Sequence, residues 1–245
     1  MRLPSWFIAV ILLLIPASVF ADDSTTTVDS GRFEVFIGDR RLGSEDFEVR
    51  SNSETIKVIA SVFYLLPGRE GSDSLAKRMT MELGAFDFDL RHYNSTQKFR
   101  GATLARGVEP HDTTYSVYRD VDGRGVGDTY SRPPGRMFVL DGQIFTSFVV
   151  VCRNLQGRTF DRRPLWLLAL SARDTMMQVE ITHLGSDTLR WGARAVRTQK
   201  YRLADSNTAY LMWATDDGRM LQLEQPESRL RVLRTPPPVK RAKKK

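Results

Sequence analysis

"DGQIFTSFVVVCRN", residues 141–154, decides the fold. Apolar residues on either side of it recur with period two, and here they do not. Ile144, Phe145, Phe148, Val149 and Cys152 fall at i, i+1, i+4, i+5 and i+8, the spacing of one helix face. Asp141 is placed to cap the start, and Gly157 lies just beyond the end. Phe148 and the run Val149 to Val151 are mediocre helix formers, and an isolated helix this short is marginal. Burying five apolar side chains at about 1.5–3 kcal/mol each outweighs that, provided the helix lies on a sheet. The spacing predicts an apolar helix on the concave face of a sheet; the competing reading is a fully buried strand.

Upstream, "FEVFIGDRRLGSEDFEV" (Phe33 to Val49) reads as strand, polar turn, strand. Phe33, Val35 and Ile37 share one face, as do Phe47 and Val49. "GDRRLG" suits a hairpin loop of several residues, a corner of the sheet rather than a binding loop. "TIKVIASVFYLL" is one long strand or two meeting at Ala60. In "MTMELGAFDFDL" the apolar face slips by one residue at Gly84-Ala85. A β-bulge absorbs such a slip and bends the strand. Asp120 to Gly135, dense in Gly, Pro and Asp, reads as a long turn or mobile loop. Downstream, "PLWLLALS", "TMMQVEITHL" and "RAVRTQKYRL" read as strands. "TAYLMWATDDGRMLQLE" is a hairpin turning at Asp216-Asp217-Gly218. The expected fold is mainly β: a single curved antiparallel sheet, an open or half barrel, with one apolar helix on its concave face.

Early in the sequence stand one positive charge, Arg2, an apolar run from Trp6 to Ile15, and small residues up to Ala21. That is the pattern of a secretory signal peptide over residues 1–21; an uncleaved anchor is the alternative. No Cys stands near the cleavage point, which excludes a lipid-anchored lipoprotein. The product is expected in the periplasm or secreted. Residues 22–31 read as a flexible lead-in, 32–234 as one half-barrel domain, and 235–245 as a disordered basic tail. The single cysteine, Cys152, cannot close a disulfide within the chain. Its valine neighbours favour a buried small hydrophobe, with an intermolecular bridge or reactive thiol as the alternative.

The net charge is +7. Lys240, Arg241, Lys243, Lys244 and Lys245 carry five of those charges, and Arg2 leaves with the signal segment. The body is close to neutral, which is unlike a nucleic-acid-binding fold. No aromatic residue interleaves with the tail, so bases have no stacking platform. Five cations on an anionic surface contribute about 1 kcal/mol each. Attachment to an anionic envelope surface and simple solubilisation are the two readings of the tail, and no specific nucleic acid is expected.

Catalytic motifs are lacking: no nucleophile elbow, Walker loop or paired-Cys metal spacing is present. His92, His111 and His183 lie far apart in sequence. "DVDGRGVGD" fails as a calcium loop, because Gly123 stands fourth and Ser131 twelfth from Asp120. The expectation is a protein that is not an enzyme and holds no metal or cofactor. Met and Trp residues are numerous for one sheet; they fill a core or line an adaptable apolar pocket. In the pocket reading the lining is Ile144, Phe148, Trp166, Met177, Val179, Trp191 and Trp213.

The order of elements, from the Phe33–Val49 hairpin through "MFVLDGQIFTSFVVVCR" to "YLMWATDDGRMLQLEQP" and "RVLR", resembles uncharacterised bacterial envelope families, domains of unknown function. Those families look like the lipoprotein-carrier (Lol-type) half-barrel, in which a curved sheet covers apolar helices and holds a lipid. The resemblance spans most of Phe33 to Arg234. It implies binding of an acyl chain or other apolar ligand in the cell envelope, and no catalytic residue carries over. The alternative is a structural or interaction protein with a fully packed core, attached to anionic surfaces by its tail.

Overall fold

A computed structural model describes residues 25–68, 71–206 and 208–237. Residues 1–21, expected to be a signal peptide, and the cationic tail positions Lys240 to Lys245 lie outside the described residues.

Eight strands follow one another as hairpins: β1 (Thr26–Ile37), β2 (Arg40–Ser51), β3 (Thr55–Gly68), β4 (Gly71–Gly84), β5 (Leu90–Phe99), β6 (Ala102–Pro110), β7 (Thr114–Val121) and β8 (Arg124–Ser131). Then come β9 (Met137–Asp141), helix α1 (Thr146–Leu155) and β10 (Arg162–Leu170). The chain closes with β11 (Thr175–Trp191), β12 (Arg194–Ala204), β13 (Ala209–Ala214), β14 (Met220–Gln225) and β15 (Leu230–Arg234). All fifteen strands form one sheet in the order β8 to β1, then β15 to β9. Adjacent strands are antiparallel except β9 and β10, which run parallel because α1 carries the chain across between them. The first and last strands pair at the middle of the sheet, Phe33 opposite Arg234 and Ile37 opposite Leu230. The free edges are β8 and β9, and among the described residues no ladder joins them.

The sheet curls because its strands are long, twisted and bulged. Ladder shifts fall at Val35/Phe36, Glu82/Leu83, His183/Gly185 and Trp213/Ala214. The inner face is apolar along most strands: Phe33 and Val35, Phe47 and Val49, Met79 and Met81, Met212 and Leu223 are all buried. Helix α1 lies inside the curl, with every residue except Arg153 buried. This is the packed apolar helix that its spacing predicts.

Four expectations need correction. Strand β1 starts at Thr26, so residues 26–31 are no flexible lead-in. Asp29 is buried there and accepts two hydrogen bonds from the Arg234 guanidinium, at 2.5 and 3.2 Å. That pair ties the start of β1 to the end of β15. The first hairpin turns on Gly38 and Asp39 alone, with Gly38 at φ 58°, and Arg40 and Arg41 already belong to β2. The slip at Gly84-Ala85 is a connection between strands and not a bulge within one. Gly84 N–H donates to Asp89 O (2.9 Å) and Phe88 N–H donates to Gly84 O (3.1 Å), which reverses the chain. Phe86 sits at the tip and is 85% exposed. Asp120 to Ser131 is the end of β7, a tight turn at Asp122-Gly123 and the whole of β8. Gly and polar residues are tolerated there because β8 is an edge strand with both faces largely in solvent.

Candidate functional site

Between the N-terminal half of α1 and strands β10 to β13 the sheet leaves an open cleft of about 240 Å³. Ile144, Phe145 and Phe148 form one wall; Leu167, Met177 and Val179 form the other. The Phe148 ring meets Tyr210 at 4.9 Å between centroids, tilted by 52°. The polar rim contains Ser171, Asp205 and Thr208. Asp205 accepts the Thr208 N–H at 2.7 Å and so fixes the turn before β13.

Of the seven apolar positions expected to line a pocket, four meet here: Ile144, Phe148, Met177 and Val179. The three tryptophans do not, for reasons of strand alternation. Trp166 lies on the opposite face of β10 from Leu167. Trp213 lies on the opposite face of β13 from the core residue Met212. Its indole N–H donates to Asp187 at 2.8 Å, and Lys200 sits over its ring. Trp191 is on the long β11–β12 hairpin, and its indole N–H donates to Arg234 O at 2.8 Å. With Phe36, Leu221 and Leu233 it borders a separate hollow on the convex side.

Behind the cleft, at the base of α1, sits a group of buried charged residues that the sequence reading missed. Glu45 on β2 is fully buried. Its carboxylate accepts the N–H of Phe145 and of Thr146, both at 2.8 Å, and the Thr146 hydroxyl. The expected cap, Asp141, does not perform this role; the first turn of α1 is capped from another strand. Glu45 satisfies donors that a helix start leaves open and places negative charge at the positive end of the dipole. Burial nonetheless pushes its pKa up to about 7, against the pull of those hydrogen bonds and of Lys77.

Asp141 is engaged elsewhere. Lys77 Nζ lies 2.5 Å from its Oδ1, and Tyr93 and Ser95 donate to its Oδ2 at 2.5 and 2.8 Å. Lys77 also donates to Gly142 O at 3.0 Å, and Tyr64 donates to Gln143 O at 3.0 Å. Burial holds the Lys77 ammonium below its usual pKa even beside that carboxylate. The same burial, with Asp141 adjacent, raises the Tyr93 phenol. A second link closes the curl: Arg106 on β6 donates to Asp174 (3.2 Å) and Ser171 O (2.6 Å). Arg119 donates to Ala172 O (2.5 Å), and Tyr130 to Asp174 O (2.8 Å). The β10–β11 turn is thereby clasped onto β6, β7 and β8.

A signal for these residues existed in the sequence. Glu45 is in phase with Phe47 and Val49, and Lys77 with Leu75, Met79 and Met81. A charge on the inward phase of a strand needs an internal partner.

Cys152 is buried and free, and burial raises its thiol pKa to about 12. Among the described residues no cluster of three or more His, Cys, Asp or Glu is arranged to hold a metal ion. None of the described helices is long and apolar enough to cross a membrane.

The fold is a single open curved β-sheet of barrel-like form around one helix. A scan against protein-family models finds no match, and a search of curated proteins finds none either. Among solved structures, a beta-barrel-like protein of the domain of unknown function DUF1849 from Brucella abortus is similar with a TM-score of 0.55. The two share 7% sequence identity over 86% of this chain and 97% of that one. The likeness supports a barrel-like fold and does not extend to the lipoprotein-carrier type.

Proposed function

We propose that this is an exported, non-enzymatic envelope protein that holds an apolar or lipid-like ligand in the cleft beside α1, in the manner of a lipoprotein-carrier half-barrel. The supporting observation is the cleft itself. Its walls are aliphatic and aromatic, it opens to solvent, and it lies between the crossover helix α1 and strands β10 to β13. Its volume sets the scale of the ligand. An apolar cavity of about 150 Å³ accepts benzene, and drug-sized ligands occupy pockets of roughly 300–1,000 Å³. At about 240 Å³ the cleft takes one short chain or the end of a longer one. The basic tail, Lys240 to Lys245, would hold the protein on an anionic envelope surface.

Native mass spectrometry of protein purified from an envelope extract tests the reading, with displacement of a fluorescent alkyl probe as the second measurement. Ala169, half-buried on the cleft wall, is the control position. Ala169→Trp fills the space and is expected to abolish probe binding while the sheet stays folded. Undiminished probe binding by that variant, or no co-purified ligand and no probe affinity in the native chain, counts against the proposal.

A further inference from the structure

Of the two free edges of the sheet, β9 is mostly buried and β8 is not. Every residue of β8 from Arg124 to Thr129 is exposed. The N–H and C=O groups of such an edge can pair with another strand, and proteins blunt the edge with a bulge, a proline or lysines. None of these devices is present in β8. Its ladder to β7 runs without a shift from Val121 opposite Arg124 to Thr114 opposite Ser131, and the strand contains neither Pro nor Lys.

The ladder also fixes which backbone groups are free. Val121 and Arg124 close the two-residue turn, and just past the strand Arg132 N–H donates to Thr113 O at 2.8 Å. The even-numbered residues of β8 therefore bond to β7, and Gly125, Gly127, Thr129 and Ser131 direct their backbone groups outward. The side chains of Arg124, Val126, Asp128 and Tyr130 share one face. On that face Tyr130 donates to Asp174 O, and Arg119, opposite Val126, is turned to Ala172 O and Asp174. Among the described residues Arg124 and Asp128 make no ion pair and no side-chain hydrogen bond. Val126 between them is 58% exposed.

We propose that β8 pairs antiparallel with β8 of a second copy of this chain, about a two-fold axis at Val126. In that register Gly125 of each copy lies opposite Gly127 of the other, and the two exchange their outward N–H···O bonds. Val126 meets Val126, and Arg124 of each copy lies opposite Asp128 of the other. The edge is thus complementary to itself, as a two-fold interface requires. Other registers lose the match. Centring the axis on Asp128 or on Arg124 sets like charges against each other, and centring it on Gly125 or Gly127 sets Val126 against a charge.

Two paired edge strands make a small interface, so a micromolar dimer is expected. Sedimentation velocity of the full chain, from about 1 to about 500 μM, should show monomer passing to dimer. Arg124→Asp alone and Asp128→Arg alone each place like charges across the seam twice. Each should weaken association about tenfold or more. Arg124→Asp combined with Asp128→Arg restores opposite charges and should recover it, with circular dichroism checking that every variant is folded. Monomer at all concentrations overturns the proposal and leaves the edge to a strand of another protein. Association that neither single change weakens, or that the double variant does not recover, overturns it as well.

Discussion

Glu45 and Thr146 are 101 residues apart in sequence, and the carboxylate of the first accepts the backbone N–H of the second at 2.8 Å. One strand of the N-terminal half of the sheet therefore holds the start of the only α-helix among the described residues. The contact gives the protein a dependence on pH whose sign follows from burial. Glu45 ionises near 4.5 in the unfolded chain and near 7 in the folded one. Between those values the folded state binds the additional proton. The associated stability is fully present below about pH 4.5 and is lost as pH rises through 7. The loss approaches about 3 kcal/mol. Urea unfolding at pH 5 and pH 8 should show it in the native chain, and the gap should be much smaller in Glu45→Gln. Equal gaps in the two proteins would contradict the assignment.

Lys77 and Asp141 form a buried ion pair between β4 and the end of β9. Removing one partner leaves an uncompensated charge, so Lys77→Met is expected to cost about 3–5 kcal/mol. Lys77→Met with Asp141→Leu should cost less than the two single changes together. A double-mutant cycle in urea measures the coupling; strict additivity would show that the pair contributes nothing as a pair.

Asp174 anchors the clasp between the β10–β11 turn and β6 to β8. Asp174→Ala leaves Arg106 buried without its carboxylate and should destabilise the chain by about 3 kcal/mol. Amide hydrogen exchange should rise first in residues 102–131, before β1 to β3 respond. Uniform loss of protection across the sheet would argue against a local clasp.

Cys152 is almost fully buried, and burial raises its thiol pKa to about 12. An aromatic disulfide reagent at pH 8 should label it only at the rate of unfolding, and at once in denaturant. Fast labelling of the native chain would revive a reactive or bridging thiol.

The strands and the helix were legible because period two and period 3.6 are properties of short windows. Ile144, Phe148, Met177 and Val179 were legible as a group for the same reason, each lying on an inward phase. The tryptophans misled because size and apolarity do not say which face of a strand a residue takes; Trp213 is one residue from Met212 and points the other way. The slip at Gly84 misled because a bulge and a connecting turn shift the phase alike, and the closing contact from Gly84 to Asp89 is a backbone one that side chains do not announce. The buried charges were visible as violations of an apolar pattern. Their partners were not, since Lys77 and Asp141 are 64 residues apart.

The pairing of β1 with β15 orders events in time. The central seam of the sheet needs the five residues Leu230–Arg234, which are made after the other fourteen strands of the sheet. Until they arrive, β1 and β14 each present a naked hydrogen-bonding edge, and the nascent polypeptide is two unsealed fans with a hazard of wrong association. Deletion of Leu230–Arg234 would leave that condition permanent, so loss of so short a strand should be far more damaging than its length suggests.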